Sequence, residues 1–256
     1  MTATPPHFET LFPQGSVASR AQRLALVRPE RSCSAWITHA EGSDLAGCPA
    51  ESYLHPSESG QAAAFRFAAR RQTFLLGRLA AKAAVGAYLA ESDWTRLELT
   101  HGVFGQPLVN YPVSNDVEVS LSHSGGRAVA LAFPRECPMA IDMETVDHDR
   151  AATVKSELQF LPEEREWIKS AAVDERAAYV LLWTVREALG KVLRCGLTCP
   201  LELLAVDQVK PVADGLWESS YRNFSQFKCL SWMRADLVVS LTLPKMTDFQ
   251  ACLRRG

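Results

Sequence analysis

One order of elements occurs twice along this chain, and that recurrence limits the fold more than any other feature. A strand-like run, CSAWITHA at 33–40, leads to an Ala-rich stretch from about Gln61 to Glu91. That stretch has no proline, and Phe67, Phe74, Leu75, Leu79 and Ala83 recur in it at helical spacing. Short strand-like runs follow at 96–102, 106–111, 116–124 and 127–133. After the two prolines of PRECP (134–138) the order restarts. MAIDMETV (139–146) reads as a strand, a helical pattern runs from Pro162 to about Arg194, and strand-like runs follow at 203–209, 216–222 and 228–243. No residue-level repeat accompanies this. The pattern predicts an α+β protein of two pseudo-symmetric lobes, each a long helix packed on a small, mainly antiparallel sheet, with a ligand cleft between them. The expected division is a loosely structured lead-in over 1–30, an N-terminal lobe over 31–136 and a C-terminal lobe over 137–256.

Composition narrows the functional classes. A formal charge of −2 gives no electrostatic footprint for nucleic acid. No apolar run reaches the roughly 18–20 residues of a membrane helix. The start, MTATPPHFETLFPQGS, lacks the basic and apolar segments of a signal peptide. Seven scattered cysteines do not form a disulfide framework, and the Cys195/Cys199 pair lacks a second pair to complete a zinc site. The expectation is a cytoplasmic protein with free thiols.

Four segments carry chemistry. In a strand over 139–146, Asp142 and Glu144 share a face, with Ile141 and Met143 on the other. Two like charges that close require solvent, a basic side chain or a divalent metal. In WTVREALGK (183–191), Glu187 and Lys191 are i, i+4 on a helix whose neighbours are largely apolar. This is either a surface pair or the wall of a cleft, with Arg186 adding a second cation. VSLSHSGG (119–126) offers serine hydroxyls, His123 and a Gly-Gly turn, either to a phosphate or as an ordinary hairpin. Arg71, Arg78 and Lys82 lie on one face of the first long helix, a stripe that suits a polyanion or is merely basic surface.

These pieces, in this order, resemble the 4′-phosphopantetheinyl transferases of the larger, surfactin-synthetase-activating type. The matching segments are RRQTFLLGRLAAK (70–82), FGQPLV (104–109), VSLSHSGG, AIDMETV (140–146) and WTVREALGK. Two departures stand out: Ala140 replaces the usual Gly, and Arg186 the usual Lys. The resemblance implies transfer of the 4′-phosphopantetheine arm of coenzyme A to a serine hydroxyl of an acyl or peptidyl carrier protein, releasing 3′,5′-ADP. It implies Mg2+, or Mn2+, held by Asp142, Glu144 and Glu187, with Glu187 as base and Lys191 and Arg186 neutralising phosphate. Arg71, Arg78, Ser122 and His123 would meet the 3′-phosphate, and Gln106 and Pro107 the adenine. The stretch from Thr145 to Pro162 is either a carrier-docking segment or a partly buried loop before the helix, and one cleft per chain implies a monomer. The carrier could serve fatty-acid, polyketide or nonribosomal-peptide assembly. Two other readings stand beside this one: another Mg2+-dependent phosphoanhydride hydrolase, and a non-catalytic coenzyme A or carrier-binding protein.

Overall fold

A computed structural model of the chain describes residues 5–113, 116–157, 159–171, 173–196 and 198–249. The ends of the expected lead-in and C-terminal lobe, 1–4 and 250–256, lie outside the described residues. The chain forms two compact units, Met1–Pro138 with Met246–Gly256, and Met139–Lys245. The protein is of the α+β class, with antiparallel sheets.

In the first unit a short helix α1 (Phe8–Leu11) precedes β1 (Gln22–Val27) and β2 (Ser32–Glu41). Then come α2 (Asp44–Gly47), α3 (Pro56–Ala64), the long α4 (Ala68–Leu89), and the hairpin of β3 (Glu98–His101) and β4 (Pro107–Asn110). A second hairpin, β5 (Val117–Ser124) and β6 (Arg127–Pro134), turns at Gly125 and Gly126, both at positive φ as a tight hairpin requires. The five-stranded sheet runs β1–β2–β6–β5, with a two-residue strand at Asp248–Phe249 beside β1. α4 packs on it through Leu75, Leu76, Leu79 and a run of buried alanines. Those small side chains let helix and sheet approach closely. Gly86 lets the segment after α4 fold back on the helix, since a Cβ there would sit 2.5 Å from Trp94 Nε1 and 2.8 Å from the Glu91 carbonyl oxygen.

Three expectations for this half need correcting. The lead-in is not all loose: residues 22–27 are a sheet strand, with Leu24 and Leu26 buried. The chain's last described strand pairs with β1 and so belongs to this unit rather than to the C-terminal lobe. The single helix expected over 61–91 is two, broken at Phe65–Phe67. Phe65 and Phe67 are extended there, and the Phe65 ring lies 5.3 Å from that of Phe74.

The second unit opens with β7 (Ala140–Thr145), followed by α5 (His148–Glu157), α6 (Pro162–Ser170) and α7 (Glu175–Val192). Then come β8 (Val206–Ala213), β9 (Leu216–Tyr221), β10 (Phe227–Arg234) and β11 (Leu237–Pro244). Its sheet order is β7–β11–β10–β9–β8. β8 is an edge strand, which is where Pro211 and its adjoining register shift can be tolerated. The run 228–243 is a hairpin rather than one strand, turning at Ala235, which has positive φ. The helical pattern from Pro162 is interrupted, because Asp174 caps a new helix by accepting from Arg176 N at 2.9 Å. Among the described residues no helix is long and apolar enough to cross a membrane. The six cysteines among them are all free thiols.

Candidate active site

β7 pairs with β11 so that Asp142 lies opposite Ser240 and Glu144 opposite Val238. Strand alternation puts Ile141 and Met143 on the other face, and both are buried. Ser240 Oγ lies 2.7 Å from Thr184 Oγ1 of α7, so α7 covers the face of the sheet that carries the two acids. One turn beyond Thr184, α7 presents Glu187 and then Lys191. Lys191 Nζ donates to Asp142 Oδ1 at 2.7 Å and to the Ile141 carbonyl at 3.3 Å. Ala140 lies in regular strand opposite Thr242, so its methyl imposes no backbone strain. Gly190, beside Lys191, has no room for a side chain: a Cβ there would stand 2.5 Å from the Gly196 carbonyl oxygen.

Glu187 is the unusual group. Burial is the main cause that pushes its carboxyl up to about 7, and the negative charges of Asp142 and Glu144 add to it. Lys191 and Arg150 oppose the rise. The three acids and two cations therefore sit within each other's field. Such a carboxyl exchanges a proton near neutral pH, as a general base must.

The donor chemistry suits a hard divalent cation, which takes carboxylate oxygens. The present arrangement does not cage one: among the described residues no three acid, His or Cys side chains stand grouped for a metal. Asp142 instead faces Lys191, and Glu144 is paired with Arg150. The question posed by two neighbouring acids on one strand face is thus met here by two basic side chains.

Sequence reasoning passed over Arg150. It sits in α5, a helix within the stretch read as either a docking segment or a partly buried loop, and its guanidinium stacks 4.6 Å from the Trp183 ring centroid. Arg186 is a correction of the opposite kind. It is 1% exposed, and its Nη2 donates to both Glu164 oxygens at 2.7 and 2.5 Å. Nη1 adds the Leu201 carbonyl at 3.3 Å. Glu164 also accepts from Val206 N and Leu161 N, at 2.9 and 2.8 Å. Arg186 therefore joins α7 to α6 and β8, and its guanidinium is buried against Glu164 rather than exposed to a phosphate as expected.

In the first unit the basic stripe is not the uncompensated surface that its spacing suggested. Fully buried Glu58 pairs with Arg78 at 3.2 Å and with Lys82 at 2.6 Å. It also accepts from His55 N at 2.9 Å and Leu99 N at 3.0 Å. Arg78 donates to the Leu99 carbonyl and Lys82 to those of Trp94 and Leu97. Burial lowers the pKa of both cations from the ordinary value. Arg78 is thus structural, while Arg71 is solvent-exposed. Ser122 and His123 are consecutive in β5 and leave it on opposite faces, Ser122 buried and His123 exposed, so they form no pair on one face. Gln106 Oε1 accepts from Phe104 N at 3.1 Å inside the β3–β4 turn, and Pro107 begins β4 opposite His101. At that turn Val103 and Phe104 are exposed.

Part of the chain is similar to known proteins. Residues 138–242 match the family model of the 4′-phosphopantetheinyl transferase superfamily. The matched stretch coincides with the C-terminal unit, Met139–Lys245. Among solved structures, one similar chain is a holo-(acyl-carrier-protein) synthase from Bacillus anthracis str. Ames in complex with CoA (3′,5′-ADP). It is 23% identical, covers 43% of this chain and 96% of its own, and has a TM-score of 0.34. No curated protein matches the sequence.

Proposed function

We propose that this protein moves the 4′-phosphopantetheine arm of coenzyme A onto a serine hydroxyl of an acyl or peptidyl carrier protein. The observation that carries the reading is the grouping of half-buried Glu187 with Asp142 and its partner Lys191, on an α7 that lies in the matched segment, where burial and the neighbouring acids raise the Glu187 carboxyl above its ordinary value. In this reading Glu187 takes the proton of the carrier serine. The serine oxygen forms the bond to the β-phosphorus, and the bond to the leaving 3′,5′-ADP breaks. Lys191 faces the phosphates and offsets charge that builds on the leaving group. Mg2+, or Mn2+, would be held by Asp142, Glu144 and Glu187 and would polarise phosphate oxygens. Arg71 would meet the 3′-phosphate, with Ser122 or His123 but not both on one face. Gln106 and Pro107 would bound the adenine. The larger, two-lobed type is supported by the makeup of the units, since each carries a long helix on a five-stranded antiparallel sheet.

The non-catalytic reading has one observation on its side: Asp142 and Glu144 are already neutralised by Lys191 and Arg150. The test is intact-protein mass spectrometry of an apo carrier protein incubated with this protein, coenzyme A and Mg2+. A gain of one phosphopantetheine mass, lost without metal and with Glu187→Gln, supports transfer. No gain across several carrier types with coenzyme A intact supports a binder, whereas coenzyme A hydrolysis without carrier supports a hydrolase.

A further inference from the structure

We propose that Arg150 belongs to this site as an internal counter-ion: it occupies Glu144 in the free protein and competes there with a divalent cation. The proposal rests on the reading of Asp142, Glu144 and Glu187 as cation-binding carboxylates. Arg150 lies in the first turn of α5, where its backbone N–H donates to Asp147 Oδ1 at 2.7 Å and fixes the start of the helix. Ala151 and Val154, both buried, tie the same helix to the core against α7. The guanidinium is then delivered to two partners at once. It forms an ion pair with Glu144 and lies over the face of Trp183, which is itself 4% exposed. Trp183 stands one turn before Glu187 on α7, so the stacked cation is aimed along the face that carries the acid cluster.

The hold is strong enough to keep Glu144 in place, yet incomplete. Arg150 Nε is buried and makes no hydrogen bond among the described residues. Arg186, by contrast, donates to both Glu164 oxygens and to the Leu201 carbonyl; Arg150, held by one ion pair and a ring face, yields more readily to a doubly charged ion. Glu144 cannot give the same lone pairs to both. The pairing also keeps the acids from repelling one another before a ligand arrives. When a cation takes Glu144, Arg150 is released beside it with donors to spare, suited to an anionic oxygen such as that of a phosphate.

The sign of one measurement separates this from a merely structural role. Mn2+ alone, without coenzyme A or carrier, is titrated into the full-length protein, and free Mn2+ is counted by electron paramagnetic resonance. Arg150→Gln should bind Mn2+ about 3- to 10-fold more tightly than the natural protein, the size expected for removing one partly solvated charge from beside a divalent ion. Arg150→Lys should stay close to the natural value. A structural Arg150 predicts the reverse, weaker binding, because Glu144 would lose its orientation. Unchanged or weaker binding by an Arg150→Gln protein with its melting temperature retained overturns the proposal and leaves the metal reading standing. No Mn2+ binding by the natural protein or by the variant overturns both. A second measurement needs no Arg150 variant: Mg2+ should change the tryptophan fluorescence of the natural protein, and Trp183→Phe should abolish that change. No Mg2+-dependent change in the natural protein counts against release of the guanidinium from the ring.

Discussion

Both units place acids against cations, but they do so in different ways. In the first, Glu58 and Lys82 are each fully buried, and every charged group also holds a backbone N–H or carbonyl. In the second, Asp142 is buried while its partner Lys191 keeps 26% of its side chain exposed, and Glu144 and Arg150 are likewise part-exposed. The closed cluster joins α3, α4 and β3. In the open cluster, burial first and the charges of Asp142 and Glu144 after it push the Glu187 carboxyl up to about 7. A desolvated charge is expensive unless it is paired. Here the fully paired set supports the fold and the under-compensated set is the candidate for chemistry.

The comparison is broken most sharply by removing one acid from each cluster. Glu187→Gln should lower transfer to a carrier protein by about 10²- to 10⁴-fold, the range for loss of a general base. The melting temperature should hold or rise, because the substitution removes a group that burial penalises. Glu58→Gln should do the opposite. Two buried cations would lose their counter-ion, a loss of about 3–5 kcal/mol in chemical denaturation. If Glu58→Gln melts normally but fails to bind coenzyme A, the first cluster is not structural and the contrast fails.

Arg186 sharpens the same line within the second unit. It is adjacent to Glu187 in sequence, yet about 100° of helix rotation turns it to Glu164. Arg186→Met leaves Glu164 with its two backbone donors but without a cation, a loss of about 3 kcal/mol. At low temperature, the folded fraction should transfer the arm at close to the natural rate. A large fall in kcat with unchanged stability would return Arg186 to the phosphate.

The legible parts of this molecule were those written in local periodicity. The alternation in MAIDMETV placed Asp142 and Glu144 on one face of a strand, and i, i+4 spacing placed Glu187 with Lys191; the structure has both. Periodicity says which residues share a face but not what covers it. Glu58 lies 20 and 24 residues from Arg78 and Lys82, across a break at Phe65–Phe67, so no spacing rule links them. The stripe was real and its surroundings were invisible. Arg150 was missed for a related reason. α5 buries only Ala151 and Val154 among its described side chains, too few apolar positions to announce a helix. The pairing of Arg186 with Glu164 was not legible because a cation beside an acid looks the same in sequence whichever way the helix turns it.

A third charge arrangement tests how strictly the first unit excludes unpaired charge. His39 of β2 is buried, with the Phe12 ring edge-on at 5.6 Å, and the Arg20–Asp44 ion pair is nearby. Burial is the main cause that lowers its pKa from the usual 6.5 to about 4. Arg20 adds to the fall and Asp44 opposes it. Because the folded value is the lower one, the unfolded chain takes up the proton first as pH falls. Above pH 6.5 the imidazole is neutral in both states and costs nothing. Below that the folded state loses ground until about pH 4, where both states are protonated. At pH 5 the loss should be about 2 kcal/mol. Denaturation of the natural protein and of His39→Phe, at pH 7.5 and pH 5, isolates this term: the natural protein should lose about 2 kcal/mol more than the variant. An equal loss in both would mean that the first unit tolerates a new charge at His39, and its closed cluster around Glu58 would then reflect packing rather than exclusion of unpaired charge.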